Sequence, residues 1–102
     1  MTKNFGNFGG GGNMQQMMKQ AQEMQKQMER AKADLAETAI EATAGGGMVT
    51  VEMTGAYELI NLKIKPEAVD PDDIEMLEDL IIAATNEALS QVSKLREEKL
   101  PI

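Results

Sequence analysis

The sequence predicts an α+β domain built as a long helix, a three-stranded antiparallel meander and a second long helix. Three observations carry that expectation. Apolar residues recur at alternating intervals of three and four from Met14 to Leu35. Two short segments around glycine turns alternate apolar and polar side chains. An Asp-Pro-Asp-Asp start at residue 70 opens a long apolar stretch that ends before Pro101. The first and third are helical signals, and the second is a strand signal. At 102 residues the chain has room for one domain, near the small end of what sustains its own core.

Residues 1–13 hold Gly6 and the run Gly9 to Gly12, so they read as a disordered tail with little to bury. Residues 14–100 then form a single α-β-β-β-α domain. With Asn13 as N-cap, Met14, Met17, Ala21, Met24, Met28, Ala31 and Leu35 make an a/d seam on a helix free of Gly and Pro to Glu37. Such a helix is ~36 Å long. It outreaches the small sheet that follows, so part of its seam needs a partner from outside.

Glu37 to Ala44 is the first strand, and Gly45-Gly46-Gly47 supplies its turn. Met48 to Thr54 places Val49, Val51 and Met53 on one face, and Gly55 makes the second turn. Tyr57 to Lys65 follows, with Ile60, Leu62 and Ile64 opposite Asn61, Lys63 and Lys65. One dry and one wet face imply a sheet covered on a single side. Asp70 then caps the second helix, with Pro71 at its first position. Its apolar stripe of Ile74, Leu77, Ile81, Ala84, Ala88, Val92 and Leu95 is widened by Leu80, Ile82, Ala83 and Leu89, which predicts contacts beyond its own sheet. A symmetry mate is the expected second contact. The candidate dimer or core residues are Met17, Met24, Met28, Ile60, Leu62, Leu77, Leu80, Ile81, Ala84 and Ala88. Asn86, unfavourable inside a helix, is expected to bond a hairpin backbone group.

Composition excludes several chemistries. There is no Cys and no His, which removes a thiol nucleophile, an imidazole base and the usual zinc ligands. The acidic residues cluster at a helix start, where they are stabilising, and lack the spacing of a calcium loop. No cofactor, no metal and no catalysis are expected. No apolar run approaches the ~20 residues of a membrane span, and a cytoplasmic location is expected. The net charge of −7 is uneven: residues 1–36 carry five basic and three acidic side chains, residues 70–102 three and nine. Any phosphate-binding surface is therefore a local patch on an acidic background.

Three stretches together point to one family. Met18-Lys19-Gln20-Ala21-Gln22-Glu23-Met24-Gln25-Lys26-Gln27-Met28 resembles the first-helix signature of the bacterial YbaB/EbfC proteins. Ala44-Gly45-Gly46-Gly47-Met48-Val49-Thr50-Val51 with Gly55 is similar to that family's glycine hairpin. Glu75 through Leu89 resembles its second-helix signature. The resemblance covers roughly residues 14 to 99. It implies a homodimer with projecting helical arms, DNA as partner with low sequence specificity, and a nucleoid location. It also implies a role in nucleoid organisation, gene expression or recombination and repair, with a repair protein as a further partner. Ser90 and Gln91 depart from the family pattern, as do Glu52 and Glu58, and all four lower positive potential.

On a 100° wheel Lys19, Lys26 and Arg30 fall within ~40° of one another, nearly opposite the Met seam. They form a ladder for phosphate contacts, or else an ordinary solvated face paired with Glu23 and Glu29. Lys32 lies off that line. Lys94 and Arg96, with Lys99, close the second helix; they complement its dipole or extend a basic zone. The alternative function is a protein-interaction adaptor that uses the acidic second-helix face or the Met seam.

Overall fold

The computed structural model describes residues 11–101, so most of the expected Gly-rich tail lies outside the described residues. The elements are α1 (Gly11–Glu37), β1 (Ala39–Ala44), β2 (Val49–Thr54), β3 (Leu59–Ile64), a 3-10 turn at Pro66–Ala68 and α2 (Ile74–Lys99). The strands form one antiparallel sheet in the order β1-β2-β3. The predicted succession of helix, meander and helix is therefore present.

The core lies where α2 crosses β1 and β2. Ala84, Ala88 and Val92 recur every four residues along one line of α2, and all three are fully buried against Ala42, Val49, Val51 and Met53. Small side chains on that line let the helix axis approach the sheet closely, and Leu77, Leu80 and Ile81 flank it half-buried. Gly45 in the first hairpin holds a left-handed φ of +63°, and a Cβ there would sit 2.8 Å from the Leu80 Cδ2. The hairpin thus needs glycine for its backbone, while the Leu80 methyl is a side-chain tip that can move aside.

A helix ~10 Å across covers about two strands spaced ~4.8 Å apart. This explains why Ile60, Leu62 and Ile64, the apolar side chains of β3, are exposed in the single chain, like every residue of that strand. Leu62 and Ile64 do pair with Val51 and Val49, so they share the core face of the sheet and simply extend beyond α2. Alternation also breaks at the start of β3. Glu52 pairs with Asn61 and Met53 with Leu59, which leaves Ile60 as the extra residue of a bulge.

Helix ends differ from expectation for local reasons. α1 is already helical at Gly11, so Asn13 is not its cap. Asp70 does not cap α2. Its carboxylate accepts the Asp72 N–H at 2.9 Å, its carbonyl accepts the Asp73 N–H at 2.9 Å, and Asp70 to Asp73 form a turn. Asp73 is the cap, accepting the Met76 N–H at 3.2 Å. Asp followed by Pro suits the first two turn positions as well as a helix cap, so the sequence placed the start too early. Asn86 is exposed on α2, away from the buried line of Ala84 and Ala88, and does not reach the hairpin backbone.

Candidate functional site

α1 is helical because Gln, Glu, Lys, Met and Ala favour that state, but only its last turns meet the rest of the chain. Leu35 is buried there, 2% exposed, against the turn between β2 and β3. The Gly55 N–H donates to the carbonyls of both Leu35 and Thr38, each at 2.9 Å. A Cβ on Gly55 would lie 2.5 Å from the Leu35 carbonyl oxygen and 2.9 Å from the Leu35 Cβ. Gly55 lies in the turn as expected, and the left-handed residue of that turn is Tyr57, with φ 64°. The glycine is needed instead for the close approach of α1.

From this anchor α1 projects as an arm. The radius of gyration is 23.2 Å, where a compact domain of this length measures about 13 Å. Lys19, Lys26 and Arg30 are all exposed on the arm, and the uninterrupted helix keeps them on one face. They span ~17 Å along its axis. Glu23 shares that face. Lys32 is exposed too, but sits some 140° around the wheel from Lys19, at the edge of the Met seam. The structure thus groups three of the candidate cations and separates the fourth.

The seam is bare in the single chain. Met17 is 68% exposed and Met24 57%, whereas Met28 is half-buried as the helix nears the body. Met17 and Met24, expected at an interface, therefore touch nothing within their own chain that hides them.

Lys94 is exposed near the end of α2, but Arg96 is engaged. One of its guanidinium nitrogens donates to the Gly55 carbonyl at 2.8 Å, and its Cζ stands 5.2 Å from the centre of the Tyr57 ring. It ties α2 to the same turn that receives α1. Arg96→Gln is expected to lower stability by about 1–2 kcal/mol through the lost charged hydrogen bond and ring contact. A urea midpoint that falls at constant m-value is the readout.

A cleft missed by the sequence reading lies between the ends of the two helices, lined by Ala31, Asp34, Leu35, Thr38, Leu95 and Lys99. Only the meeting of the helix ends at Gly55 creates it. Among the described residues, no cluster of His, Cys, Asp or Glu is placed to hold a metal ion, and no helix is long and apolar enough to cross a membrane.

Comparison with known proteins gives concordant matches. The family model described as the YbaB/EbfC DNA-binding family matches residues 10–101. A nucleoid-associated protein of Staphylococcus aureus is 59% identical over 91 residues, covering 89% of this chain and 87% of that protein. One from Alkaliphilus metalliredigens is 56% identical over 87 residues, covering 85% of this chain and 76% of that protein. Among solved structures, an uncharacterized Helicobacter pylori protein superposes with a TM-score of 0.74 at 25% identity, covering 82% of this chain and 88% of that one.

Proposed function

The chain belongs to the YbaB/EbfC DNA-binding family, and from that premise we propose that it binds duplex DNA through the phosphate backbone as a homodimer. That family is one of nucleoid-associated proteins, not of enzymes. The observation that carries the reading is the exposed line of Lys19, Lys26 and Arg30 on an arm that stands clear of the acidic body. Cations grouped on a projecting rod meet a polyanion without bringing the carboxylates of α2 against it. Phosphate contacts position a protein but carry no base information, so sequence preference is low. Lys94 extends the basic zone, while Arg96 acts mainly within the fold.

The homodimer is supported by what α2 leaves bare. Leu59, Leu62 and Ile64 prolong the core face along an edge strand, and Ile82 and Leu89 stand exposed on α2. A second copy applied there covers apolar surface and presents two arms. Coating DNA in this way gives the protein its place in the nucleoid, with consequences for gene expression and for recombination and repair on that DNA.

A salt titration tests the reading. Three cations on each of two arms, each meeting one phosphate, give a log–log slope of roughly −5, at about 0.9 per phosphate neutralised. Retention at low salt that falls on this slope is the expected result. No binding at low salt, or binding indifferent to salt, overturns it.

A further inference from the structure

The Met seam is left over by the DNA-binding reading, because it faces away from Lys19 and Lys26. We propose that it is a second self-association surface, on which the α1 arms of two different copies pair seam to seam and antiparallel. The inference concerns the arm alone and does not depend on DNA binding.

Heptad spacing names the occupant. Met14, Met17, Ala21, Met24, Met28 and Ala31 keep a strict three-four alternation, which suits a facing helix better than a globular groove. Most of this line is exposed, and it runs for ~26 Å. Between Met18 and Gln27 the flanking e and g positions are Met18, Gln20, Gln25 and Gln27, all uncharged, and Lys32, the next e position, lies just beyond Ala31 where the overlap ends. They set up no like-charge repulsion against a copy of themselves, whereas the cations Lys19 and Lys26 occupy f, the position farthest from the seam. Pairing therefore leaves the DNA-facing cations outward on both helices.

The anchor at the body sets direction and register. Leu35 is buried against Gly55, so the overlap must stop short of it. An antiparallel alignment centred between Gln22 and Glu23 places Met14 against Ala31 of the other arm, Met17 against Met28 and Ala21 against Met24. It sets Gln20 beside Gln27 and holds the two bodies apart at opposite ends. Opposed helix dipoles favour the same direction.

The experiment is sedimentation of the full chain over a wide concentration range, beside a Met17→Glu/Met24→Glu variant and a Leu62→Glu variant. Both methionines are exposed, so that double variant keeps its fold. The expected result is a mass that doubles with concentration in the unmodified protein and an association at least about 100-fold weaker in the double variant. A Leu62→Glu effect on mass without any from the double variant overturns this proposal while leaving the body dimer standing. The chain has no cysteine, so single thiols report direction. A mixture of Gln20→Cys and Gln27→Cys chains should yield the mixed disulfide. Cross-links within each variant alone, and none between them, overturn the antiparallel arrangement.

Discussion

Gly55→Ala is expected to destabilise the protein by about 2–3 kcal/mol, the upper part of the range for forcing volume into a closed contact. The added carbon would stand 2.5 Å from a backbone oxygen and 2.9 Å from two carbons of Leu35. Backbone cannot swing aside as a side-chain tip can. Relief requires α1 to retreat, which stretches both hydrogen bonds that the Gly55 N–H makes to Leu35 and Thr38 and partly uncovers Leu35. The Gly55 carbonyl also receives Arg96, so the shift reaches α2. For a domain of this size the loss corresponds to roughly 10–20 °C in Tm, measured by thermal unfolding followed in the far ultraviolet. An unchanged Tm would mean that the arm is not seated on this turn.

The second large effect is on DNA. Changing Lys19, Lys26 and Arg30 together to Glu reverses three exposed charges on each arm. Removing the contacts takes away most of the counterion release that drives association, and the new carboxylates repel the phosphates. A loss of affinity of at least about 1,000-fold near physiological salt is expected. The circular dichroism and the mass in solution should stay as they were, since all three side chains point away from both core and seam. Lys32→Glu serves as the contrast, with a loss of at most a few-fold expected from its place around the wheel. Equal losses from the triple and the single change would move the contact surface to the other side of the helix.

Much of this architecture is legible in the residues. Ala84, Ala88 and Val92 at four-residue spacing, and Val49, Val51 and Met53 at two, show the buried lines of α2 and β2 directly, because each periodicity belongs to one backbone geometry. The cationic face of α1 is legible for the same reason. What escapes is whatever depends on a distant neighbour. Gly55 reads correctly as a turn residue, but why it must be glycine shows only when Leu35 is known to lie over it. Arg96 looks like a terminal cation until Tyr57 and the Gly55 carbonyl are placed beside it. Local ambiguity explains the rest. Asp70, Asp72 and Asp73 all suit a cap, and the adjacent Leu59 and Ile60 conceal a bulge that no alternation rule detects.

The one-ended attachment of α1 has a consequence for how such a sequence can change over time. Substitutions along the free length of the arm cost the body almost nothing, so its charge is open to adjustment one residue at a time. The seat at Leu35 and Gly55 has no such latitude. Variation in this lineage should therefore gather on the rod and spare the socket.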